Sequence, residues 1–178
     1  MTEYRDLYDK NRKLTGKKIK KGDPIPKGKY VNVVMVFIRN STGHYLIQKR
    51  SKAKNGLYAT TGGHAKSGET SLQAICSEVK EELGLDVEPS NFQLYYSGRS
   101  EEDQVFYDDY FLELSPRLFN IKPQKEEVSF VCWMQPWEIR NLFRCCRFMD
   151  NHYEEFIRLR EWLKERDTKD LNASSRAR

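Results

Sequence analysis

The stretch that most constrains this chain is Tyr30–Ile38, YVNVVMVFI, in which five of nine residues are β-branched and only Asn32 carries a polar amide. Branching at Cβ favours the extended backbone. A run without polar alternation reads as a strand buried inside a sheet. Asn40-Ser41-Thr42-Gly43 then supplies a turn, and Tyr45–Arg50 completes a hairpin. Further strands are expected at Phe92–Ser97, Val105–Leu114 and Val128–Trp133, with a short helix opening at Pro136 and running to Phe143. Tyr153, Phe156, Ile157, Leu159, Trp162 and Leu163 recur at helical spacing, the core stripe of a last helix. A chain of 178 residues has room for one domain and one sizeable core. The order of elements implies an α/β domain with a mixed sheet between helices.

Composition narrows the class. With 38% hydrophobic, 32% charged and 12% aromatic residues, the chain suits a folded domain with a charged surface, not a disordered one. No stretch approaches the ~18 apolar residues of a membrane span, and the polar N-terminus lacks a signal-peptide core. Cys76, Cys132, Cys145 and Cys146 show neither zinc-ligand spacing nor a disulfide framework, so a reducing cytoplasm is the expected setting. The net charge of +5 is uneven: residues 1–60 hold 15 Lys and Arg against 4 Asp and Glu, the remainder 16 against 22. A solvated basic arm explains this better than polynucleotide binding, since Lys17-Lys18-Ile19-Lys20-Lys21 has no interleaved aromatics for base stacking. A positive rim that attracts phosphorylated small molecules is the third reading. Residues 1–29, punctuated by Gly16, Gly22, Pro24, Pro26 and Gly28, form the arm; 30–166 form the domain and 167–178 a frayed tail.

The chemistry concentrates on one helix. Thr70 is a natural N-cap, Gln73 closes a capping box, and Gly84 stands at C′ beyond Leu83. Leu72, Ile75, Cys76, Val79 and Leu83 make its apolar face, so Cys76 is core. Glu78, Glu81 and Glu82, at i, i+3 and i+4, crowd an arc of about 100° beside that face. None has a Lys or Arg at i±3 or i±4 on the helix. Each like-charge pair costs about 0.2–0.5 kcal/mol, and negative charge near a helix C-terminus adds to the cost. A hard divalent cation would reverse the sign, because Mg²⁺ takes carboxylate, water and phosphate oxygens.

The stretch Gly63–Leu85 resembles the Nudix box, G-x5-E-x7-R-E-U-x-E-E-x-G-U, where U is a bulky aliphatic residue. Gly63, Glu69, Glu78, Glu81, Glu82 and Gly84 match six of seven fixed positions, and Val79 and Leu85 both aliphatic ones. The resemblance implies a Nudix-type α/β/α sandwich that hydrolyses a nucleoside diphosphate derivative or similar small diphosphate with Mg²⁺ or Mn²⁺. It implies metal ligands at Glu78, Glu81, Glu82 and the Gly63 carbonyl. Water activation would fall to Glu78 or Glu81, and support of the box to Glu69. Lys49 and Arg50 are candidates for a substrate phosphate. Asp108, Asp109, Glu126 and Glu127 are candidates for one further metal ligand. Tyr58, Phe106, Tyr107 and Trp133 are candidates for stacking on a base.

The family arginine before Glu78 is Ser77 here, which puts efficiency in question more than metal binding. The arm Tyr4–Gly16 is similar to the isopentenyl-diphosphate isomerase branch. That branch places a catalytic cysteine before the box glycine and metal-binding histidines in the arm. Here Gly62 takes the cysteine position, and no histidine precedes His44. The isomerase and a catalytically weak nucleotide sensor are therefore secondary readings, and a homodimer is a further expectation.

Overall fold

The computed structural model describes residues 2–114 and 121–176, with side chains described through residue 169. The strands are β1 (Tyr4–Tyr8), β2 (Leu14–Lys20), β3 (Val31–Asn40), β4 (Tyr45–Arg50), β5 (Tyr58–Ala59), β6 (Thr61–His64), β7 (Phe92–Ser100), β8 (Val105–Leu114) and β9 (Val128–Met134). The helices are α1 (Ser71–Leu83), α2 (Pro136–Arg144) and α3 (Asp150–Arg176). α3 runs past residue 166, where the sequence pattern put the start of a tail; residues 177 and 178 lie outside the described residues. No described helix is long and apolar enough to cross a membrane.

β3 organises a seven-stranded mixed sheet of order β5-β4-β3-β8-β7, with β6 added on β3 and β9 on β4. It lies parallel to β8 from Val31↔Val105 to Asn40↔Leu114. Because successive side chains leave opposite faces of a strand, its unbroken apolar run feeds two cores. Val34, Val36 and Ile38 pack with Ala74, Ile75, Val79 and Leu83 of α1. Met35 and Phe37 pack with Ile139 of α2 and Phe156, Leu159 and Leu163 of α3. Each such fully buried side chain contributes roughly 1.5–3 kcal/mol. Cys76 packs against the α1 core, and all four cysteines are free thiols. The result is the expected α/β/α arrangement.

The N-terminal arm is more ordered than its composition suggests. β1 and β2 pair as an antiparallel hairpin, and Leu7 and Ile19 pack on Val31 at the end of the sheet. Arg12 ties the hairpin tip down: its guanidinium donates to both Asp108 oxygens and to Asn32 Oδ1. Ser97 Oγ donates to the same Asp108 carboxylate at 2.6 Å. Burial alone would raise the Asp108 carboxyl; these hydrogen bonds hold it below the usual carboxylate range. Asp109, one residue on, faces the opposite core, wholly buried beside Glu155 and Arg158. Burial and the Glu155 carboxyl push Asp109 well above that range.

Arg12→Ala should therefore leave a charged carboxylate buried without its partner. The Arg12 side chain is 32% exposed, which reduces the expected loss from the fully buried case to about 2 kcal/mol. Thermal melts should fall accordingly, and limited proteolysis should cut first within residues 1–29. An unchanged melting temperature would reject the tie. Since Asp108 is depressed in the fold, this contribution is present above about pH 4 and lost as pH falls further.

Candidate functional site

α1 forms where its caps dictate. Gln73 N–H donates to Thr70 Oγ1 at 3.2 Å, Thr70 N–H donates to Gln73 Oε1 at 2.9 Å, and Gly84 closes the helix at φ 68°. Its last carbonyls are capped by another segment: Lys122 N–H donates to Leu83 O at 2.9 Å and Gln124 N–H to Glu82 O at 3.1 Å. The loop that carries Glu127 is thereby fastened to the end of the carboxylate helix.

Glu78, Glu81 and Glu82 open into one cavity of about 550 Å³. β6 and β4 supply Gly62, Gly63, His64, Gln48 and Arg50; Thr60, Glu127, Asn151 and His152 complete that side. The hairpin adds Glu3, Arg5 and Lys21. Asp6 fastens the hairpin to the box loop. Its carboxylate accepts from Ser67 Oγ and Gly68 N–H, each at 2.7 Å, while Ser67 N–H donates to Tyr4 O at 2.8 Å.

The three glutamates sit in different surroundings. Glu82 is buried, accepts from Gln48 Nε2 at 3.2 Å, and is pushed up to about 8 by burial and then by Glu78. Glu78 is pushed up to about 7 by burial and then by Glu81. Glu81 is exposed and ion-paired to Lys66 from the box loop, the partner that no helix position provides. Among the described residues no group of three His, Cys, Asp or Glu side chains is placed to hold a metal ion. The donor set nonetheless fits a hard cation. Two desolvated carboxylates repel each other, and Gln48 Oε1 is buried without a hydrogen-bond partner. Mg²⁺ needs only one or two protein carboxylates, the rest of its shell being water and phosphate.

Ser77 does anchor a glutamate. Its Oγ donates to Glu69 Oε1 at 2.9 Å, and Lys66 N–H donates to Glu69 Oε2 at 2.8 Å. A neutral donor thus stands where the family pattern has an arginine. Gly63, which opens the box, and Gly62 before it lie where side chains have no room. A Cβ on Gly63 would lie 2.6 Å from Glu78 Cδ, and one on Gly62 would lie 2.8 Å from Met35 Cα on β3. A cysteine before Gly63 would not fit this backbone.

Several sequence candidates are redirected. Gln48 and Arg50 alternate onto the cavity side of β4, whereas Lys49 faces away with its ammonium 4.4 Å from the centre of the Tyr58 ring. Asp108 is occupied by Arg12, and Asp109 faces the far core. Glu127 lines the cavity, paired to Lys54 at 3.3 Å; Glu126 does not. Tyr58, Phe106, Tyr107 and Trp133 are not among the residues lining the cavity. Arg5, Gln48 and His152 were not anticipated. His152 Nδ1 accepts from Thr60 N–H at 3.2 Å, and burial lowers the ring to about 4, keeping it neutral.

Residues 29–157 match the NUDIX domain family model. The chain belongs to the Nudix family. A Nudix hydrolase of Listeria monocytogenes is 40% identical over 129 residues, 70% of this chain and 75% of the relative. A crystal structure from Deinococcus radiodurans superposes with a TM-score of 0.72 at 24% identity, over 88% of this chain and 98% of that one. The bifunctional NMN adenylyltransferase/ADP ribose pyrophosphatase of Francisella tularensis, complexed with AMP and a Mn ion, gives 0.58 at 23% identity, over 75% and 42%. The protein is accordingly a Nudix-type diphosphate hydrolase.

Two measurements check this geometry. Gly62→Ala should destabilise the Nudix domain by about 1–3 kcal/mol, the cost of overpacking, and a neutral result would mean that β6 moves freely off β3. In metal-free protein, Glu78 and Glu82 hold protons that the unfolded chain releases near pH 4.5. Stability should therefore fall as pH rises from about 4.5 to 8 and level off above, and Glu82→Gln should flatten that fall in melts between pH 5 and 9.

Proposed function

We propose that this Nudix chain is a cytoplasmic, Mg²⁺- or Mn²⁺-dependent enzyme that cleaves the diphosphate linkage of a nucleoside diphosphate derivative or similar small diphosphate. The observation that carries the reading is the cavity floor. There Glu78 and Glu82 are desolvated and mutually repelling beside an unpartnered Gln48 oxygen. Such a floor is costly alone and favourable around a divalent cation. Glu78, Glu81, Glu82 and the Gly63 carbonyl would hold the metal. When bound, it supplies neutralisation of diphosphate charge and a lowered pKa for water.

The chain's own residues do the rest. Glu78, pushed up to about 7, has the proton affinity suited to a general base near neutrality; Glu81 is the alternative base. Glu69, held by Ser77 and the Lys66 amide, fixes the loop that presents Gly63. Arg50, with no carboxylate partner among the described residues, offers its guanidinium to a substrate phosphate. The AMP and manganese named for the Francisella relative support this class of substrate and metal. The isomerase reading is weakened by the absence of space at Gly62.

The test is a screen of nucleotide sugars, dinucleotides, nucleoside triphosphates and isoprenoid diphosphates for phosphate or monophosphate release. Activity should require Mg²⁺ or Mn²⁺, and Glu82→Gln should lower kcat by ~10²-fold or more, as misplacement of catalytic groups does. Turnover that survives both chelation and Glu82→Gln would reject the mechanism.

A further inference from the structure

We infer that Arg5, delivered by the N-terminal hairpin, is an anion anchor of this site and binds one phosphate of the substrate's diphosphate. The inference rests on the hydrolase reading and adds a specificity residue outside the box.

The cavity holds five cationic side chains, and three of them are occupied. Lys21 pairs with Glu3 at 2.9 Å, Lys54 with Glu127 at 3.3 Å, and Lys66 with Glu81. Arg50 touches Met149 Sδ. Arg5 has neither an ion pair nor a hydrogen bond among the described residues, and its Nε is buried without an acceptor. A desolvated guanidinium N–H without a partner is unfavourable, and a bound anion removes that cost. The planar fork of a guanidinium matches two phosphate oxygens at once.

The position of Arg5 is fixed from both sides. Its neighbour Asp6 is bonded to Ser67 and Gly68 of the box loop, and Arg12 holds the hairpin tip on Asp108. The side chain therefore stands on a rigid element, the preorganisation that anion recognition requires. Arg5 does not simply replace the missing box arginine. Ser77 already holds Glu69, and Arg5, which feels the charges of Glu3 and Glu78, forms an ion pair with neither. From Thr60, which donates to His152, to His64, which feels the Arg5 charge, the chain advances four residues, about 13 Å at strand rise. One phosphate at Arg5 leaves Arg50 for the second phosphate and the His152 end of the cavity for the attached group.

The test uses methylenediphosphonate, a non-hydrolysable diphosphate, titrated calorimetrically into the full chain with and without Mg²⁺. Arg5→Gln should weaken its binding ~10-fold or more, the loss of a charge-assisted hydrogen bond, with Mg²⁺ binding unchanged. Arg5→Lys should recover part of that loss. On any active substrate, KM should rise with kcat within ~3-fold. Wild-type affinity in Arg5→Gln would overturn the inference. So would a fall in kcat at constant KM, which would mean that Arg5 acts through Glu78. Equal losses in both variants with lowered melting temperatures would assign a structural role and also overturn it. If the wild type binds the probe but hydrolyses no diphosphate, the hydrolase reading fails while the anchor stands. If hydrolysis holds and Arg5 is indifferent to the probe, the anchor alone fails.

Discussion

Everything in this molecule is hung on β3 and its need to be covered on both faces. Its even-numbered residues demand α1, and its odd-numbered residues demand α2 and α3. The same strand pairs β8 on one edge and β6 on the other, so the helix that carries the carboxylates and the strand that carries Gly63 are placed by one segment. A sheet strand is a stiff support, and side chains built on it hold their relative positions better than loop residues do. The site's geometry is thus a by-product of core packing.

Charge in the cavity is arranged in opposition. The floor concentrates carboxylates that burial makes costly, and the walls carry cations of which most are already paired. A free diphosphate would be repelled by the floor and attracted by the unpaired guanidinium groups. A divalent cation between them satisfies both sides, which ties metal and substrate binding together electrostatically.

Much of this was readable from the residues alone. β8 and α1 fall at their expected limits because their patterns are local: a run rich in aromatic and aliphatic residues for the strand, a capping box and terminal glycine for the helix. The box carboxylates announced themselves by mutual repulsion. β6 did not, because Thr61-Gly62-Gly63-His64 has the composition of a loop; it is a strand only because its backbone lies hard against β3. Nor did the hairpin, since Leu7 and Ile19 are the whole of its buried hydrophobic face. The choice between Lys49 and Arg50 was open to strand alternation, as Gln48 and Arg50 share a side. Arg5 and His152 gave no local sign, because their places in the cavity are set by tertiary contacts.

The tie between Arg12 and Asp108 also orders events in time. Ninety-six positions separate the two residues. During synthesis at roughly 5–20 residues per second, the hairpin waits on the order of 5–20 s before its anchor is even made. Asp6 must likewise wait for Ser67 and Gly68, 61 and 62 positions later. The hairpin, made before either of its anchors, is thus locked only after both have followed it. Its lysine-rich surface keeps it solvated meanwhile, so the basic composition of the arm serves the nascent chain as well as the finished one.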